Sequence, residues 1–435
     1  MEMMLYIGGL LFMLVGLAVS IALHEVGHLV PAKLFGVHVG QYMIGFGPRL
    51  WSRRWGSTEY GVKALPLGGY ISMAGMYPAT ADGEKATGMF RTLVQDARDA
   101  NNETIVDDNR VFYRLSTLKR IIIMLGGPIM NLVLAVVIFT VLLSGVGLQQ
   151  ATTTVSAVAE CVLPATSRSQ TCSADDPVSP AAQAGLLPGD TIISVGGEPV
   201  ATFAEASSIV QRSPDAALAL VVERGGEQLT LTLTPIAAQR PAVDADGLAV
   251  VDDNGDPVMA TVGYAGMTSQ VEYVRQPILS GSQMAWENAV AVGQIVVTLP
   301  QRLWDVGASL VTGGERDPNG PLSVVGVGRI AGEVAATDAP VLNRFVVMLG
   351  LLGSLNIALF VFNLIPLLPL DGGHIAVALW DGVRRAWATL RRAPAPRPVD
   401  ATKLVPITVV VAVALVAMGG LLLIADLINP VRIFG

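Results

Sequence analysis

Three stretches of this 435-residue chain are apolar enough, and long enough, to cross the roughly 30 Å of a bilayer's hydrocarbon as helices. They run from Met4 to about Pro31, from about Ile121 to Leu148, and from Leu404 to Leu427. A fourth, about Phe345 to Leu370, is equally apolar but is interrupted by Asn363, Pro366 and Pro369. Lipid offers no partner for a backbone N–H or C=O, so segments of this kind must be helical. The composition agrees: 52% of the residues are hydrophobic and 14% charged, against about a quarter charged in soluble domains. The first stretch lacks a basic leader and a small-residue cleavage site, which makes it a retained helix rather than a secretory signal.

Charge is segregated along the chain. A dozen Lys and Arg, from Lys33 to Arg120, separate the first two stretches, and Arg384, Arg385, Arg391, Arg392, Arg397 and Lys403 separate the last two. The segment 149–341 has eight Arg, no Lys and twenty-one Asp and Glu. Basic loops face the cytoplasm, so four spans are expected to leave 149–341 and both termini outside. The net charge of −7, with no basic run interleaved with aromatics, argues against a nucleic-acid partner. Both cysteines, Cys161 and Cys172, fall in the external segment, where an oxidising compartment lets them pair. Two free thiols are the alternative.

Two of only four histidines occur in His24-Glu25-Val26-Gly27-His28. Positions four apart share a helix face, so the two imidazoles can grip one Zn²⁺ while Glu25 takes a proton from water at the ion. HExxH alone is a weak pattern. Here it lies within an apolar run, where a charged side chain at mid-membrane costs at least about 2.5 kcal/mol. At 1.5 Å per residue, His24 sits roughly 13 Å below the inner surface if Lys33 marks it.

A catalytic zinc takes a third protein ligand and keeps one position open. Asp371, in Asn363-Leu-Ile-Pro-Leu-Leu-Pro-Leu-Asp371-Gly-Gly-His374, is the foremost candidate, with His374 as its rival. The prolines predict a broken helix there, which membranes tolerate where backbone is buried or lines a wet cavity. Asn363 is placed to donate a hydrogen bond to an oxyanion.

These two motifs, in this order and these apolar settings, resemble the site-2 protease family of intramembrane metalloproteases. The resemblance implies His24, His28 and Asp371 as ligands of one Zn²⁺ per chain, Glu25 as general base, and Asn363 as a substrate or oxyanion contact. Gly45-Phe-Gly-Pro48 and Leu67-Gly68-Gly69-Tyr70 resemble the family's membrane-associated β-loop, implying that Leu67, Gly68, Gly69 and Tyr70 bind substrate as an added strand. Gly126-Gly-Pro-Ile-Met-Asn131 resembles the opening of the second core span and adds Asn131 to the substrate contacts. Within the family the chain is most similar to actinobacterial members that cleave anti-sigma factors.

Residues 151–237 alternate apolar and polar like short strands. Ser179-Pro-Ala-Ala-Gln-Ala-Gly-Leu186, followed by Pro188-Gly-Asp190, resembles a PDZ signature, which implies peptide capture at a sheet edge; a spacer or size filter is the other reading. An Asp-rich stretch from Asp244 to Asp256 reads as loop, and Met284–Val311 as one or two amphipathic helices, suited either to a membrane surface or to packing against the PDZ-like unit.

The expected fold is thus a polytopic α-helical membrane protein with about four spans, a membrane-associated β-loop and an extracytoplasmic, β-rich PDZ-like domain. Its parts are a first membrane half (1–148), the PDZ-like domain (151–237), an external loop with amphipathic helices (238–342) and a second membrane half (343–435). The expected activity is zinc-dependent cleavage of single-span membrane proteins in a bacterial plasma membrane. Anti-sigma factors already trimmed by an upstream extracytoplasmic protease are the implied substrates. A PDZ-bearing membrane sensor without proteolysis is the alternative, although it leaves buried Glu25 and Asp371 unexplained.

Overall fold

The computed structural model describes residues 2–76, 110–163, 172–173, 176–241, 258–314, 316–317, 320–394, 396, 399 and 404–431. The Asp-rich stretch lies outside the described residues. The chain divides into two compact units, one built from 1–145 with 277–435 and the other from 146–276.

The first unit opens with α1 (Glu2–Leu34), then the antiparallel hairpin β1 (Val39–Trp55) and β2 (Thr58–Met73), then α2 (Thr117–Thr140), which continues through a wider turn to Val146. The second unit holds β3 (Leu148–Val158), α3 (Pro180–Gln183), β4 (Thr191–Val195), β5 (Glu198–Pro199), α4 (Phe203–Gln211), β6 (Leu218–Arg224), β7 (Glu227–Leu233), β8 (Ile236–Pro241), β9 (Met259–Tyr264) and β10 (Met267–Val274). The first unit resumes with α5 (Ser280–Thr312), α6 (Val324–Ala336), α7 (Val341–Asn363), α8 (Asp371–Leu390) and α9 (Val405–Ile428).

Among the described residues, α1, α2 with its extension, α7 and α9 are the four helices long and apolar enough to cross a membrane. The first unit is therefore that of a polytopic membrane protein. The interrupted stretch does break: α7 ends at Asn363, and the chain turns through 364–370 before α8 begins on Asp371. The second span starts earlier than its apolar run, at Thr117. Arg120 can lie within this helix because its charge is matched by Asp381 of α8, 3.0 Å away and also buried.

Lipid supplies no hydrophobic drive between helices, so close packing of small residues must bring them together. A Cβ on Gly27 of α1 would strike the Gly126 carbonyl of α2, and one on Gly126 would strike Gly27 in return. The two backbones touch there, one residue from His28. Asn356 Nδ2 of α7 donates to Ser20 Oγ of α1 (2.9 Å), both side chains being fully buried. Tyr42 of β1 donates to the Ala22 carbonyl (2.8 Å) and ties the hairpin to α1.

At the far end of α9, Asp426 and Arg316 form an ion pair in which both side chains are buried. Asp426 also accepts from the Ser323 N–H (2.7 Å), and Arg316 donates to the Pro321 carbonyl. Asp426→Ala would strand Arg316 without a counter-charge, and breaking one side of such a pair costs about 3–5 kcal/mol. We expect a clearly lowered thermal midpoint in detergent, with much of it recovered in the Arg316→Met/Asp426→Leu double variant.

The second unit is β-rich. Its main sheet runs β10-β3-β4-β6-β7, with β5 pairing off β4, and β8 and β9 form a separate ribbon. Val155, Leu186, Ile192, Val195, Val210, Leu220, Val222 and Leu233 make its core. Thr202 and Glu205 close a capping box at the start of α4. Cys161 and Cys172 are joined by a disulfide. Buried Asp190 accepts two hydrogen bonds from Arg224 (2.7 Å each) and one from the Leu187 N–H (2.8 Å), which hold its carboxyl below the usual range. A carboxylate depressed in the folded state adds stability that is complete above its unfolded pKa of about 3.9 and is lost as pH falls through the lower folded value. Acid unfolding of this unit below about pH 4 should lose steepness in Asp190→Asn, as followed by circular dichroism.

Candidate metal centre

Helix α1 presents His24 and His28 on one face, and the first residue of α8 presents Asp371 to the same point. His24 Nε2 and His28 Nε2 are 3.2 Å apart, and each is 3.3 Å from Asp371 Oδ2. Ligands held about 2.0–2.1 Å from one tetrahedral ion lie about 3.3–3.4 Å from one another. The triangle fits that requirement.

Hydrogen bonding makes the case sharper. His28 Nδ1 lies 2.7 Å from the Ile123 carbonyl, which can only accept, so Nδ1 carries the proton and Nε2 offers a lone pair. Asp371 Oδ2 is buried and has no hydrogen-bond donor. His28 Nε2 and Asp371 Oδ2 are therefore acceptors facing one another at close range, and His24 Nε2 joins them in the tautomer that carries its proton on Nδ1. A proton can bridge a single pair of them, whereas a divalent cation satisfies all three. These are also the residues that, among those described, bring three ligand atoms together. His374, the rival third ligand, borders the same cleft but does not join the triangle.

Glycine keeps the position open. A Cβ on Gly127 of α2 would collide with His28 Nε2 and stand 2.7 Å from His24 Nε2. Residue 127 thus faces the space between the ligand nitrogens that an ion would take. On the other side, a Cβ on Gly69 of β2 would lie 2.9 Å from Glu25 Cγ and 3.1 Å from its Oε1. The strand passes directly over the buried Glu25 side chain.

The remaining sequence candidates are near but differently engaged. Asn363, the last residue of α7, borders the cleft, and its Nδ2 donates back to the Leu359 carbonyl (3.0 Å). Tyr70 borders the cleft and donates to Gln41 Oε1 (3.1 Å). Gly68 borders a second lobe of the same cleft. Leu67 belongs to β2, and its side chain lies outside the described residues.

Asn131, expected among the substrate contacts, is fully buried on α2 with its Nδ2 3.1 Å from His24 Nδ1. Its Oδ1 has no partner. A half-turn of the amide, which leaves its shape unchanged, puts Oδ1 against a protonated Nδ1 and frees His24 Nε2 for metal. Asn131 and the Ile123 carbonyl are then the outer partners of the two imidazoles, a role that no residue spacing announces. Asn131 does lie one helical turn after Gly127, on the face turned to α1.

The comparisons with known proteins agree with this geometry. The sequence profile of peptidase family M50 matches residues 12–395, and the chain belongs to that family. It is a zinc metalloprotease of the site-2 protease type, with Zn²⁺ as its expected cofactor. The "Zinc metalloprotease Rip1" of Mycobacterium tuberculosis is 35% identical over 99% of this chain and 100% of its own length. The protein of that name from Mycolicibacterium smegmatis is 33% identical over the same shares. "Metalloprotease MmpA" of Caulobacter vibrioides is 28% identical over 87% of this chain and 88% of its own length.

Loss of an outer partner typically weakens a metal site about 10–100-fold. Asn131→Leu, similar in volume but unable to hold the imidazole, should lower zinc affinity by that factor in a chelator competition. Asn131→Asp should retain it.

Proposed function

We propose that this chain is an intramembrane endopeptidase of a bacterial plasma membrane that hydrolyses single-span membrane proteins. The observation that carries the reading is the triangle of His24, His28 and Asp371 beside Glu25, with both histidines and the glutamate on a helix of membrane-spanning length. Buried ionisable groups at such a depth are expensive and mark function.

In this proposal His24, His28 and Asp371 hold the zinc. When bound, the ion polarises a carbonyl and acidifies water. Glu25 takes the proton from the attacking water and returns it to the leaving amine. Asn363 rotates its amide from the Leu359 carbonyl toward the developing oxyanion. A membrane helix hides its scissile bonds within its own hydrogen bonds, so the substrate must be drawn out as a strand. The Gly68–Tyr70 stretch of β2, lying over Glu25, is suited to hold it extended by backbone pairing, with Leu67 just before it.

The basic loops on either side of the paired spans support a cytoplasmic face for the hairpin and an external face for residues 149–341. The disulfide in that segment suits an oxidising compartment. The core strands, the Ser179-capped α3 and the Asp190 corner support a PDZ-like reading of 151–237. Strand β10 stands at one edge of its sheet, where an extended peptide can add. Anti-sigma factors shortened by an upstream extracytoplasmic protease fit these features: a single span, and a fresh C-terminus to be received outside.

Purified protein in detergent, given a single-span substrate trimmed on its outer side, should cleave it in a chelator-sensitive manner. Glu25→Gln should bind zinc normally yet lose at least about 10²-fold in rate. Zinc binding without cleavage by the wild type would favour the sensor reading. Equal loss of an anti-sigma factor in cells lacking this protein would remove that substrate.

A further inference from the structure

The cleft at Glu25 has two lobes. The metal lobe holds about 280 Å³ and the second about 300 Å³. His24, Glu25, Gly69 and Asn363 border both, so they stand at the junction. The far wall of the second lobe is aliphatic: Leu17 and Ile21 of α1, Leu359 of α7, and Val324, the first residue of α6. A peptide laid along β2 with its carbonyl at the junction directs a neighbouring side chain into this lobe. A cavity of about 150 Å³ with aliphatic walls accommodates benzene, so the lobe has room for a leucine or phenylalanine side chain.

Val324 differs from the other wall residues. Leu17, Ile21 and Leu359 belong to the helices that carry the metal motifs, whereas α6 spans no membrane and contributes no ligand. Val324 is 46% exposed, leaving its side chain free to meet a substrate. Its backbone is fixed from two directions. Ser323 donates its N–H to Asp426 Oδ2 (2.7 Å), and its hydroxyl accepts from the Gly326 N–H (3.2 Å). Further along α6, Gly332 lies so close to the Tyr6 ring of α1 that a Cβ would stand 2.8 Å from it. With the helix anchored at both points, side-chain size at 324 rather than helix movement decides how much room the lobe offers.

We infer that this lobe is a subsite for one large aliphatic or aromatic side chain next to the scissile bond, with Val324 setting its depth. The inference rests on the protease reading. Its test uses the full-length enzyme and a panel of single-span substrates carrying Ala, Leu, Phe or Trp at each position flanking the cut. Products are mapped by mass spectrometry and ranked by kcat/KM. Wild type should prefer Leu or Phe over Ala at one flanking position. Val324→Phe should reduce that preference about 10-fold or more, on the scale of pocket discrimination by one or two methylenes. Val324→Ala should shift it toward Trp, and Val325→Phe, one residue beyond the lining, should leave it as in wild type. If Val324→Phe does not fold, the Val324→Ala shift decides alone. Wild-type ratios in Val324→Ala, with normal zinc content and thermal midpoint, overturn the subsite while leaving the protease standing. Absence of any chelator-sensitive cleavage by wild type overturns both.

Discussion

The structure is organised around the need to bring lone pairs together where water is scarce. His24 Nε2, His28 Nε2 and Asp371 Oδ2 lie within 3.3 Å of one another, an arrangement that repels unless a cation occupies it. Its neighbours follow from that demand. Helices α1 and α2 meet backbone to backbone at Gly27 and Gly126 so that the Ile123 carbonyl and Asn131 can reach the imidazoles. Helix α7 stops at Asn363 so that α8 can start on the carboxylate. Strand β2 carries glycine where it crosses Glu25. Each concession weakens a helix or strand locally and is repaid only by the site.

Much of this was legible in the chain. The membrane spans follow from the length of apolar runs, and the break near Pro366 from proline's missing N–H. The pairing of His24 with His28 follows from helical spacing. The carboxylate partner was harder, because nothing local joins residue 371 to residue 24; the motif resemblance favoured it and the geometry brings it there. Asn131 shows the limit. Its residue type and its turn of helix were visible, but that it reaches the His24 imidazole while bordering the second lobe depends on how closely α1 and α2 approach. That distance is a tertiary property.

Charged pairs were also hard to anticipate. Arg120 and Asp381 are 261 residues apart in sequence, and Arg316 and Asp426 are 110 apart. Read alone, Arg120 looks like the basic flank of a span and Asp426 like an intrusion in an apolar helix. Together they show how the membrane unit fixes elements that lipid cannot sort by hydrophobicity. One pair joins α2 to α8, the helix that opens on Asp371. The other sets where α6 begins, and with it one wall of the cleft.

Consecutive glycines at 126 and 127 divide their labour: the first lets two backbones touch, and the second leaves the imidazole nitrogens their space. An alanine at 127 would therefore act as a built-in plug. Its methyl group would press on the nitrogens of His24 and His28 and force the imidazoles apart, taking the space between them, while Glu25 and Gly69 lie on the other side of the site. One methyl group at this position would thus unmake the triangle without replacing any of the three side chains that form it.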